Sequence, residues 1–110
     1  MKPVIFHPKA LAFIRGEEPD VRKAIGEALS DLQKGISLGL PLSRPMPTVA
    51  SGAHELRLKS KTTAIRVFYF AKLAEAIVVF HAFQKKTQKT PLDEVAVGRQ
   101  RLKEVLHGDV

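Results

Sequence analysis

From residue 54 onward the apolar residues stop recurring at helical spacing and begin to alternate, and this change of period constrains the fold more than any other feature of the chain. In His54-Glu55-Leu56-Arg57-Leu58-Lys59 the charged residues 55, 57 and 59 share one side and Leu56 and Leu58 the other, which predicts a strand with one buried face. Ser60-Lys61-Thr62-Thr63 can turn the chain. Ala64 to Phe70, rich in β-branched and aromatic residues, supplies a second strand, and Ala76 to Phe83 a third after the connection Ala71 to Glu75. Connections this short favour antiparallel neighbours, so the segment is expected to be a meander.

The first half reads differently. Pro3-Val4-Ile5-Phe6 is fenced by prolines and suits an edge strand. Pro8 to Arg15 predicts a short helix with Ala10, Leu11 and Ile14 on one side, ended by Gly16. Pro19 to Lys34 is the clearest helix: Val21, Ile25, Ala28, Leu29 and Leu32 line one face, Asp20 sits at the positive end and Gly35 is placed for a C-cap. Gly35 to Gly52, with Pro41, Pro45 and Pro47, reads as a loop long enough to need partial ordering against the core. At the other end, Thr90 is placed to cap a helix that Pro91 opens, with Asp93 and Glu94 in its first turn and Leu92, Val95, Leu102, Val105 and Leu106 as its apolar side. The expectation is one α+β domain over residues 1–110, an antiparallel sheet in the order β-α-α-β-β-β-α with a helical hairpin packed on it.

Composition narrows the chemistry. Hydrophobic residues make up 45% of 110, enough for a single modest core. No run of about 18 apolar residues is present, and the first residues lack a signal-peptide pattern, so a cytoplasmic protein with no membrane partner is expected. There are no cysteines, and the four histidines are scattered, so no metal and no cofactor are expected. The net charge of +7 is unevenly spread: residues 1–53 contribute +2, residues 54–90 contribute +6 and residues 91–110 contribute −1. Such clustering fits a surface that meets nucleic acid or another polyanion, or else a merely soluble face.

The strand that ends in His81-Ala82-Phe83-Gln84 runs into Lys85-Lys86-Thr87-Gln88-Lys89-Thr90-Pro91, so Lys85, Lys86 and Lys89 lie just before a helix start whose free N–H groups also attract anions. Arg57 and Arg66 add cations from the meander. Glu55 is the only acid between residues 54 and 74. It is either an ion-pair partner that relieves repulsion on a basic strand, or a general base beside cations that stabilise a phosphorane-like transition state. RNA cleavage needs little else. Tyr69, opposite Arg66 by alternation, reads as a core or rim residue, and His81 as a buried, hydrogen-bonded histidine. His54 could stack on a base or simply cover the sheet edge.

Gly52-Ala53-His54-Glu55-Leu56-Arg57, Ile65-Arg66-Val67-Phe68-Tyr69-Phe70 and above all His81 to Pro91 resemble the RelE/ParE toxin superfamily, with the phage-derived, HigB-like branch closest. The resemblance spans roughly Val4 to Leu106. It implies a RelE-like fold, a toxin of a type II toxin–antitoxin module, and a cognate antitoxin, often a helix-turn-helix protein. It also implies ribosome-dependent cleavage of mRNA by 2′-hydroxyl attack, without a metal. Carried over by position, the catalytic residues are Glu55 as base, Arg57, Arg66 at the phosphate, and Lys86 with Lys85 the neighbouring candidate; Lys85, together with Lys59, Lys89 and His54 of the basic region, is expected to contact RNA. The C-terminal tyrosine or histidine of relatives has no clear counterpart, since the spacing of His107 does not match, which leaves the general acid unassigned. Two alternatives remain: a ParE-like inhibitor of DNA gyrase, and a non-catalytic RNA-binding module. Against the module, the polar strand face shows charges rather than the exposed aromatic pairs of such platforms.

Overall fold

The computed structural model describes residues 1–110 as a five-stranded sheet with helices on both faces. In chain order the elements are β1 (Val4–Phe6), α1 (Pro8–Arg15), α2 (Pro19–Gln33), β2 (Ser43–Pro45), β3 (Ala53–Lys59), β4 (Ala64–Phe70), β5 (Ile77–Lys85) and α3 (Leu92–Leu106). The strands lie in the order β1-β5-β4-β3-β2. The meander is antiparallel, as its short connections require, with Arg57 opposite Arg66 and Arg66 opposite Phe83. No helix is long and apolar enough to cross a membrane.

Two differences from the expected order concern the sheet edges. β1 pairs with β5 in parallel, so the sheet is mixed; no hairpin joins these strands, and the constraint that makes short-looped neighbours antiparallel does not act on them. β2 is a strand within the proline-rich segment that reads as loop. Its three residues pair with β3, placing Arg44 directly opposite Glu55, and Pro45 is tolerated because β2 is an edge.

The hairpin of α1 and α2 covers one face. Val21, Ile25, Ala28, Leu29 and Leu32 of α2 pack with Leu56, Leu58, Ile65, Val67 and Tyr69 of the meander. Helix α2 ends as its sequence suggests: Gly35 takes φ +85°, and the Ile36 N–H bonds back to the Asp31 carbonyl, closing a glycine-terminated C-cap. Helix α3 covers the other face, where Val95 and Leu102 meet Phe68, Val78, Phe80 and Phe83. The chain thus has a core on each side of the sheet, and the polar face of β3 is not a free surface. The apolar side expected for α3 is only partly used, since Leu92 is 85% exposed and Leu106 45%.

Strand β5 does not alternate throughout. Phe68 pairs with His81 and Tyr69 with Val79, leaving Phe80 as an extra residue in a β-bulge. The bulge reverses the parity of the strand: Ile77, Val79 and Ala82 face the hairpin, whereas Val78, Phe80 and Phe83 face α3. Phe80 and Ala82 therefore lie on opposite faces, where strict alternation would put them together. His81 and Phe83 do share a side, their rings stacked with centroids 5.0 Å apart.

Candidate functional site

Glu55 is the centre of the basic region, and it is 1% exposed. Its Oε1 lies 3.4 Å from Arg44 Nε and 3.7 Å from Arg66 Nε, while its Oε2 accepts a 2.8 Å hydrogen bond from the Thr90 hydroxyl. A carboxylate leaves water at this cost only where cations and donors replace its hydration. Here β2, β4 and the segment entering α3 each supply one. Arg66, itself buried, donates through Nη1 to the carbonyl oxygens of Ile65 at 3.1 Å and Leu58 at 3.4 Å. Burial pushes its guanidinium down from the ordinary value and Glu55 opposes that shift.

One carboxylate faces several cations. Arg57, half-buried, lies beside Arg66 across the β3–β4 pair, and Lys85 closes β5 on the same side of the sheet as Arg66. The Lys85 ammonium is pushed down, first by burial and then by Arg66, with Arg57 and Arg44 acting the same way against Glu55. Its Nζ donates to the Gln88 carbonyl, which folds the lysine over the segment before α3. The Nε atoms of Arg44 and Arg66 are buried facing Glu55 as ion pairs, whereas Arg57 Nε is buried with neither a hydrogen bond nor an ion-pair partner. Arg57, Lys59 and Arg66, with Pro41, Leu58 and Ala64, line an open cleft of about 390 Å³. An anion with several acceptor oxygens matches this set of donors.

The remaining expected residues are divided between other places. Lys86 is exposed beyond the end of β5, so Lys85 is the lysine that joins the cluster. Lys89 lines a separate groove of about 430 Å³ with Arg44, Met46, Thr90 and Leu92. His54 lies on the hairpin face, stacked on Tyr69 at 5.3 Å, and cannot share a ligand-binding face with Arg57. Tyr69 is buried, and its hydroxyl hydrogen-bonds Ser43 Oγ at 2.7 Å; burial pushes the phenol up and this bond opposes the shift. His81 is buried away from the cluster, with Nε2 at 2.8 Å from Glu94 and Nδ1 at 2.7 Å from Arg101. An arginine only donates, so Nδ1 is the acceptor and Nε2 carries the proton.

The family model described as phage-derived Gp49-like protein (DUF891) matches residues 12–103, which is most of the chain. The chain belongs to the Gp49-like family. That family is known as one of toxin–antitoxin toxins. Comparison with curated proteins and with solved structures finds no match. The span matched by the Gp49-like model takes in Arg44, Glu55, Arg57, Arg66, Lys85 and Thr90, while β1 and His7 lie outside it.

Two members of this Gp49-like cluster are not evident from the sequence. Arg44 stands in a proline-rich stretch too short to show a strand period, and only its place opposite Glu55 gives it a role. Thr90 has the position of a helix cap, but α3 begins at Leu92 with Pro91 as N-cap and no capping side chain. A hydroxyl gains more from a buried carboxylate than from an exposed helix end, because the hydrogen bond is charge-assisted and shielded from water.

Proposed function

We propose that this Gp49-like chain is the toxin of a type II toxin–antitoxin module, of the RelE/ParE superfamily and its HigB-like branch, and that it cleaves mRNA on the ribosome. The observation that carries this reading is the convergence of Arg57, Arg66 and Lys85 on one side of the sheet, where Arg57, Lys59 and Arg66 line an open cleft. Phosphate is the ligand such a set recognises.

In the reaction, the 2′-oxygen bonds to the adjacent phosphorus and the bond from phosphorus to the 5′-oxygen breaks. The proton lost by the 2′-hydroxyl is regained by the 5′-oxygen, so the products are a cyclic phosphate and a 5′-hydroxyl. Arg57 and Arg66 neutralise the charge that builds on the phosphoryl oxygens. Three groups of the cluster can exchange a proton, Glu55, Lys59 and Lys85, since arginine stays protonated. Lys59 extends the cationic track, and an antitoxin bearing acidic side chains would cover it.

Induction of the chain in a bacterium, with 5′ ends mapped on translated and untranslated transcripts, tests this function. Growth arrest with cuts confined to translated mRNA, lost in Arg57→Ala and Arg66→Ala, is the expected result. Arrest with intact mRNA would point to gyrase or another target, and no arrest would leave a plain binding module.

A further inference from the structure

Glu55 presents no oxygen to a substrate. One is shared by two guanidinium groups, the other is taken by Thr90, and the residue is 1% exposed. The groups it gathers belong to three separate parts of the chain: the edge strand β2, the central strand β4, and the 86–91 segment that joins β5 to α3. That segment has few other ties. Residues 86–89 are exposed, and the only side-chain hydrogen bond from it to the sheet's interior is the one from Thr90 to Glu55.

We propose that Glu55 is a positioning residue: a buried clamp that fixes Arg44 and Arg66 and, through the Thr90 hydroxyl, ties to the sheet the 86–91 segment on whose Gln88 carbonyl Lys85 rests. This rests on the ribonuclease reading for its catalytic consequence, though not for the clamp itself. Glu55 exchanges no proton with the RNA, and proton transfer falls to the lysines at the cleft, Lys85 before the more exposed Lys59. The clamp also explains why a single acid persists among so many cations. Without it Arg44, Arg57, Arg66 and Lys85 would repel one another and the segment would drift from the sheet.

Thr90→Val removes the tether and keeps the shape, Thr90→Ser keeps the hydroxyl, and Glu55→Gln removes the charge. Amide hydrogen exchange of Glu94 and Val95, whose N–H groups donate to the Pro91 carbonyl at the end of the 86–91 segment, is measured on all three beside the wild type, together with kcat, KM and the pH profile of mRNA cleavage in a translating extract. The expected result is faster exchange in Thr90→Val and Glu55→Gln, rescue in Thr90→Ser, and kcat reduced about 10- to 100-fold with the shape of the pH profile kept, as for a displaced catalytic group. The double variant should fall no further than the worse single one, because both cut the same link.

Loss of cleavage and of the acid limb of the pH profile in Glu55→Gln, with exchange and Thr90→Val activity at wild-type levels, would overturn the clamp and make Glu55 the base. Higher activity in Thr90→Val would overturn it too, showing that Thr90 masks the carboxylate. If even the wild type cuts no RNA, the nuclease reading fails, and hydrogen exchange still decides the clamp.

Discussion

The most informative side chain is also the one whose setting the sequence least reveals. Glu55 reads as a strand residue on a solvated face because residues 55, 57 and 59 alternate with leucines, yet that face is roofed by the segments around Arg44 and Thr90. Alternation reports which side a residue takes and carries no information about what covers that side. The same rule worked for Tyr69 and Arg66, whose opposite faces it assigned correctly. Removal of a buried charge's partner leaves that charge uncompensated, so Glu55→Ala should lower stability by about 3–5 kcal/mol. Arg57→Ala, half-exposed and outside the ion pairs, should cost less than about 1 kcal/mol. Urea midpoints of the two variants check the difference.

His81 gives a pH prediction at the same scale. Burial pushes its pKa below the ordinary 6.5, Arg101 pushes it further down, and the hydrogen bond and charge of Glu94 oppose this, with His7 a weaker lowering neighbour. A depressed histidine is neutral in the fold and accepts a proton more readily when unfolded, so stability rises with pH in this window and is lost as pH falls from 6.5 toward the folded value. The protonated ring would also turn an N–H toward the Arg101 donor. A melting-temperature series from pH 7.5 to about pH 5 should therefore show a steeper acid loss in the wild type than in His81→Asn.

Among the elements, length and periodicity decided what could be read. Helix α2 and strands β3 and β4 were legible almost to their ends, because each carries several repeats of its period. Strand β2, three residues long and proline-bounded, carries none, and the parallel partner of β1 depends on a contact across the whole chain. The bulge in β5 was equally hidden, since the extra Phe80 is as apolar as its neighbours. The approach of α3 to the sheet depends on Gly98, where a Cβ would lie 2.8 Å from the Phe68 ring. Alanine at this position gains about 1 kcal/mol of helix propensity and loses about 1–3 kcal/mol to overpacking. Gly98→Ala is thus expected to be net destabilising, whereas Gly26→Ala, with open space around its Cβ, should stabilise, as thermal unfolding of both would show.

For the molecule as a whole, the charge map was legible and its organisation was not. Residues 54–90 do carry the surplus, and the structure separates part of it into a cleft lined by Arg57, Lys59 and Arg66, with Lys85 on the same side of the sheet, and a groove holding Lys89. If three cations meet phosphates, binding of a 2′-deoxy-substituted RNA strand should weaken with salt at a logarithmic slope near −2, and Arg57→Ala should reduce that slope by about 0.7. A slope unchanged by the substitution would place the phosphate contacts elsewhere.

The claim that this Gp49-like chain is a ribosome-dependent ribonuclease meets its most direct test in a cell-free translation extract programmed with a defined mRNA and supplied with the purified protein. Cleavage that stops when translation is blocked, leaves a cyclic phosphate on the upstream fragment, and disappears in Arg57→Ala is the predicted result. An intact message in the wild-type reaction, or cuts that persist on untranslated RNA or without Arg57, would contradict it.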